Sequence, residues 1–136
     1  MTQRVKWLGM LGLLLAITSG PIAAQDFPAK PIRIILPVPP GAGTDIVARL
    51  VAERLQARWG QPALVEHRAG AGGNIGATAV FRAAPDGYTL LLGSVATHAI
   101  NVSMISKLPY DPIKDFAPVT LVGSIANVLV VHPSVP

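Results

Sequence analysis

LPVPPGAGTDIVARL, residues 36–50, joins an apolar run to a helical pattern through a turn of prolines and glycines. To its N-terminal side, residues 31–36 read PIRIIL, a β-branched run with the length and composition of a buried strand. Pro37, Pro39 and Pro40 end it, because proline has no N–H to offer a sheet ladder. To its C-terminal side, Ile46, Val47, Leu50, Val51 and Leu55 recur at three- and four-residue steps. That spacing predicts a helix over 45–59 with those five side chains on its buried face. Thr44 or Asp45 is the expected N-cap and Gly60 the expected stop.

The same pattern then repeats in outline. Residues 62–66, PALVE, form a second expected strand, and Gly70, Gly72 and Gly73 a second glycine loop. Asn74 is placed to cap a helix over 75–84, and Pro85-Asp86-Gly87 is a turn before a third strand over 88–93. A short helix is expected within 95–105, a loop over the three prolines of 107–118, and a last strand region over 119–123 and 127–132. Strand and helix alternating in this way predict an α/β fold on a parallel-rich sheet with right-handed crossovers. Each glycine loop falls between the C-terminal end of a strand and the N-terminus of a helix.

The 136 residues contain no cysteine and carry 11 basic against 7 acidic side chains. Residues 1–24 have the features of a secretory signal peptide: Arg4 and Lys6, an apolar run over 7–17, then Ala23-Ala24. The run is shorter than the roughly 20 residues a membrane span needs. Cleavage after Ala24 removes two of the 11 basic residues and leaves nine against seven, a charge of only +2. The remaining arginines are scattered and lack stacking aromatics, which speaks against a nucleic-acid partner. Export permits disulfides, but without cysteine there is no disulfide partner and no thiol chemistry, so a hydrophobic core must hold the fold.

Open parallel sheets bind ligands beyond the carboxyl ends of their strands. The free N–H groups and dipole of a helix N-terminus suit an anion there. Gly41-Ala42-Gly43-Thr44-Asp45 is the sharper of the two candidate loops, and its plain alternative is a turn with an N-cap. Neither loop has the third glycine of a dinucleotide fingerprint; Glu66, at the end of the second strand, is the one feature that favours a nucleotide. Gly93-Ser94 lacks the rest of a nucleophile elbow. His67, His98 and His132 are too far apart for zinc spacing and read as surface or loop histidines. The residues therefore favour binding over catalysis, with no metal and no cofactor.

Five segments in order carry a family resemblance: FPAKPIRIILPVPPGAGTDIVARLVAERL, HRAGAGGNIGATAV, APDGYTLLLGS, LPYDPIKDFAPVT and NVLVVHPSVP. Together they closely resemble the Bug-type receptors, the extracytoplasmic solute-binding proteins of tripartite tricarboxylate transporters. The resemblance implies a type II periplasmic-binding-protein fold, two α/β lobes that close on a small organic carboxylate. It further implies a periplasmic location, no enzyme activity and delivery to membrane permease subunits. Carried over residue by residue, the ligand-binding positions are Gly43, Thr44 and Asp45, with Gly72, Gly73, Asn74, Ser94 and Thr97 on the same side of the cleft.

Two departures stand out. The family usually has consecutive glycines where Ala42 interrupts them here, so alanine is strained if this position needs positive φ. Family members are also much longer, which implies that residues 25–136 are a partial first lobe with the second absent, a fragment that binds carboxylate weakly or not at all alone. An exported nucleotide-dependent enzyme and a truncated interaction module without ligand are the competing readings.

Overall fold

β-branched and leucine side chains place the first strand at the centre of the fold. The computed structural model describes residues 26–124 and 130–134; the expected signal peptide lies outside them. β1 (Ile32–Leu36) is followed by α1 (Gly43–Trp59), β2 (Ala63–His67), α2 (Asn74–Phe81) and β3 (Thr89–Leu91). A 3₁₀ turn, Ala71–Gly73, leads into α2, and a π-helical turn, Ala96–Ile100, continues into α3 (Asn101–Met104). The three strands form one sheet in the order β2-β1-β3. Both pairings are parallel, from Ile32 opposite Ala63 to Leu36 opposite His67, and from Arg33 opposite Thr89 to Ile35 opposite Leu91. This is the α/β class the alternation predicts.

Successive side chains of a strand point to opposite faces. Ile34 and Leu36 pack with Ala48 and Ala52 of α1, and Val51, Leu55, Val65 and Leu90 close around them. Arg33 and Ile35 face the other way, toward Ile75, Thr78 and Ala79 of α2. The helices thus cover opposite faces of the sheet. Leu36 is fully buried, which contributes about 1.5–3 kcal/mol of transfer free energy.

The face of α1 differs from the expected one. Asp45, Ala48 and Ala52 are its buried residues, whereas Ile46 and Leu50 are 65% and 55% exposed. Small side chains let the helix lie close against β1 and β2, and the larger ones flank that contact. The helix also starts earlier than expected. Ala42 is the N-cap, without a side-chain cap bond, while Gly60 closes the far end in the left-handed conformation with its N–H on the Gln56 carbonyl.

Three further expectations change. Asn74 does not cap α2; Gly73 holds that position. The helix ends at Phe81 rather than at 84. Among the described residues of the expected last strand region no strand forms, and Val119 and Leu121 are both 83% exposed. Apolar composition alone does not make a strand, and the described part of this segment pairs with neither open edge of the sheet, β2 or β3; residues 125–129 lie outside the description. The loop over 107–118 is as expected, folded on itself by Asp111 Oδ1, which accepts the N–H groups of Ile113 and Lys114, and by Asp115 Oδ2, which accepts that of Asp111.

Candidate functional site

Because β1 is the middle strand, the chain leaves it for β2 on one side and returns to β3 on the other. The turn after β1 therefore stands at the switch point of the sheet, where α/β folds bind ligands. Gly41 takes the positive φ of that turn, +85°. Ala42 is extended, with φ −67° and ψ 153°. Alanine thus sits there without strain, and among the described residues the non-glycine residue with positive φ is Ala71 in the second loop, at +48°.

The first turn of α1 supplies the donors. Asp45 N–H is closed onto the Ala42 carbonyl at 2.8 Å. The N–H groups of Gly43 and Thr44 belong to the first helical turn and have no intrahelical acceptor by geometry. The Thr44 hydroxyl is buried without a hydrogen-bond partner among the described residues. Two amides at the positive end of a 17-residue helix are donors that suit an oxyanion.

Asp45 turns away from this edge. Its Oδ1 lies 3.1 Å from Arg49 Nε and 3.1 Å from His67 Nε2, and its Oδ2 accepts the Gly41 N–H at 3.4 Å. Burial pushes this carboxyl up, but the Gly41 N–H and the Arg49 guanidinium, with a smaller contribution from the neighbouring His67 ring, outweigh it and hold the group below its ordinary value. Asp45 is thereby an anionic post under the turn.

The second glycine loop is pressed against Pro37, where the turn that carries the first begins. A Cβ on Gly73 would stand 2.7 Å from Thr97 Cγ2 and 3.2 Å from Pro37 Cβ, so only glycine allows the approach. Behind it lies a buried polar network. Asn101 Nδ2 donates to the Gly72 carbonyl at 2.9 Å and to Asn74 Oδ1 at 2.8 Å. The Tyr110 hydroxyl is 2.9 Å from both Asn74 Oδ1 and the Thr97 carbonyl, one proton shared between two acceptors. Burial raises the Tyr110 hydroxyl above its ordinary value, which keeps that proton in place. Thr97 Oγ1 accepts the Ser94 N–H at 3.0 Å.

The eight positions expected to bind are thus arranged in three adjoining segments. Gly43, Thr44 and Asp45 share one turn, Gly72, Gly73 and Asn74 abut it through Pro37, and Ser94 and Thr97 join through the network. The side chains of Asn74 and Thr97 are engaged there, while Ser94 is exposed.

Two contributors escaped the sequence reading: Arg49 and His67. His67 is no surface histidine; its side chain is 16% exposed. The signal was its place as the last residue of β2, level in the parallel pairing with Leu36, from which the binding turn leaves. Glu66, one position earlier, points to the other face. Arg33 grips it through Nε and Nη2 at 2.7 and 2.9 Å and holds its carboxyl below the usual range, and Arg68 adds a third contact at 3.3 Å. A carboxylate so engaged is not available to a ribose hydroxyl. A cavity of about 580 Å³ lies on that face, lined by Arg33, Arg68, Arg82, Ile75 and Thr78 among others. It is remote from the free amides of α1, and two of its three arginines are held by Glu66.

Comparison with known proteins gives a consistent result. Residues 47–136 match the model of the tripartite tricarboxylate transporter family receptor. Protein BugT of Bordetella pertussis is 44% identical over 129 residues, 93% of this chain and 40% of that protein. MatC of Rhodopseudomonas palustris, solved with bound malate, is 44% identical with a TM-score of 0.67, over 71% of this chain and 33% of that one. A second R. palustris protein, solved with adipate, is 37% identical with a TM-score of 0.61, over 64% and 29%. The chain therefore spans about two fifths or less of the length of the curated relatives it matches.

Proposed function

Because the chain belongs to the tripartite tricarboxylate transporter receptor family, we propose that its β1–α1 turn holds the carboxylate of a small organic acid. The amides of Gly43 and Thr44 and the Thr44 hydroxyl are the donors, with Asp45 positioning the turn from beneath rather than touching the anion. The observation that carries this reading is the Thr44 hydroxyl, buried and unpartnered at the N-terminus of α1. Leaving such a donor unsatisfied costs about 1–3 kcal/mol, which a bound carboxylate offsets. The structures of family relatives with malate and with adipate support the ligand class. Gly72, Gly73, Asn74 and Ser94 line the adjoining wall through their backbone, and Thr97 braces it.

In this reading residues 1–24 direct export to the periplasm and residues 25–136 are part of the first lobe of a two-lobe receptor. The receptor is not an enzyme; it captures the acid and delivers it to the membrane permease of its transporter. The opposing lobe closes over the ligand and supplies the remaining contacts. One wall alone binds weakly, on the order of millimolar. Calorimetric titration of the chain with malate tests this. Thr44→Val removes the hydroxyl at nearly constant volume and weakens binding about tenfold, the value of one charge-assisted hydrogen bond. Equal affinity in the two proteins would refute the assignment of Thr44.

A further inference from the structure

His67 stands between two acceptors. Its Nδ1 is 3.1 Å from the carbonyl of Val38 in the β1–α1 turn, and its Nε2 is 3.1 Å from Asp45 Oδ1 at the start of α1. We propose that His67 is a protonation-dependent positioning residue of the anion cradle: as an imidazolium it donates to Val38 and anchors Asp45 by its charge, and on losing a proton it releases one end of the turn. The proposal rests on the carboxylate reading of that turn.

The proton inventory of the ring carries the argument. A neutral imidazole has one N–H and one lone pair. With the proton on Nδ1, a bare Nε2 stands 3.1 Å from a carboxylate oxygen with no proton between them; with the proton on Nε2, the Nδ1 lone pair faces a carbonyl. Either tautomer places two acceptors in contact at 3.1 Å. Only the cation avoids both. Nε2 is at ion-pair distance from Oδ1 yet makes no well-aligned hydrogen bond, so their attraction is mainly between charges and depends on the ring's proton. Both side chains are largely buried, 16% and 12% exposed, so water screens the pair little.

The charged groups around the ring are few. From α1 come Asp45 and Arg49, the latter on the same oxygen, where its positive charge competes with the imidazolium. From β1 the register partner is the uncharged Leu36. Arg33 of β1 is occupied with Glu66, which also holds Arg68, the residue that follows His67. Asp45 passes the constraint on through Oδ2 to the Gly41 N–H. Val38 and Gly41, on either side of the two prolines, are thus tied to one ion pair, and the amides of Gly43 and Thr44 hang from its far end.

The test uses the full chain and two readouts. The first needs no ligand: the Gly41 amide resonance is followed from pH 5.5 to 8.5, the range in which imidazoles titrate. It is expected to move in one step in the wild type and to stay fixed in His67→Gln, which keeps a donor but cannot take a charge. The second is malate affinity over pH 6 to 8.5, where carboxylates stay ionised. It is expected to fall about five- to tenfold in the wild type and to be flat in His67→Gln. A Gly41 resonance that ignores pH in the wild type overturns the proposal, and that measurement stands even where the variant fails to fold. An unchanged affinity profile in a folded His67→Gln also overturns it. If malate saturates neither protein while Gly41 still follows pH, the carboxylate reading falls and the coupling of His67 to the turn stands.

Discussion

Replacing Gly73 by alanine tests whether the second glycine loop is packed as described. The residue has φ +91°, on the side of conformational space that a Cβ disfavours by about 1–2 kcal/mol. The added carbon would also stand 2.7 Å from Thr97 Cγ2 and 3.2 Å from Pro37 Cβ, and overpacking of this kind typically costs about 1–3 kcal/mol. The combined loss of about 2–5 kcal/mol is a large part of the roughly 5–15 kcal/mol that stabilises a domain. Gly43→Ala is the control, since its Cβ meets no heavy atom within 4 Å and needs no unusual φ. In a helix this change is neutral or favourable by up to about 0.5–1 kcal/mol. Urea unfolding followed by circular dichroism measures both, the comparison being valid where the m-value is unchanged. If Gly73→Ala unfolds at the same urea concentration as Gly43→Ala, that close contact does not exist.

Other expectations follow from the same geometry. Gly43→Ala leaves stability intact but places a methyl group at the amides assigned to the carboxylate, so malate affinity drops several-fold while the unfolding midpoint holds. Ala48→Leu, on the buried face of α1, costs about 1–3 kcal/mol, whereas Leu50→Ala, on the exposed flank, costs about 0.5 kcal/mol or less; the reverse order in urea would restore the helix face expected from sequence. Leu36→Ala opens the core between β1 and α1 and costs about 2–5 kcal/mol by the same assay. In acid, Asp45, Glu66, Asp86 and Asp111 act together. Each is held below its ordinary value: Asp45 against its burial by the Gly41 N–H, Arg49 and His67, Glu66 by Arg33, Asp86 by Lys30, Asp111 by the Ile113 and Lys114 N–H groups. The folded chain therefore binds these protons more weakly than the unfolded one. The stabilisation is complete above about pH 5 and is lost as pH falls through the lower folded values. An unfolding midpoint that stays constant from pH 5 to pH 3 would contradict this.

Local signals carried the sequence reading a long way. Ile32–Leu36, the prolines after it and the cap at Gly60 are decided by the composition of a few neighbouring residues, and they fall where expected. The position of the glycine turn at the end of the central strand was legible for the same reason. What escaped depends on partners distant in sequence. Asn74 reads as a cap, but Asn101 and Tyr110, 27 and 36 positions on, draw its side chain into a buried network. Ile46 and Leu50 count as a buried face by periodicity, yet close packing against the sheet selects Ala48 and Ala52. Ala42 looks strained beside two glycines, but the chain puts the positive φ on Gly41. His67 has no meaning until the parallel pairing of β1 with β2 brings it level with Leu36, beside a turn 29 residues away in sequence.

The central claim is that a carboxylate sits at the N-terminus of α1. Amide chemical-shift mapping during a titration of the full chain with malate tests it most directly. The account predicts that the Gly43 and Thr44 amides shift and saturate together while Arg82 and Ala83, at the 580 Å³ cavity on the other face, do not respond. Saturating shifts centred on Arg82 and Ala83, with Gly43 and Thr44 unmoved, would contradict it.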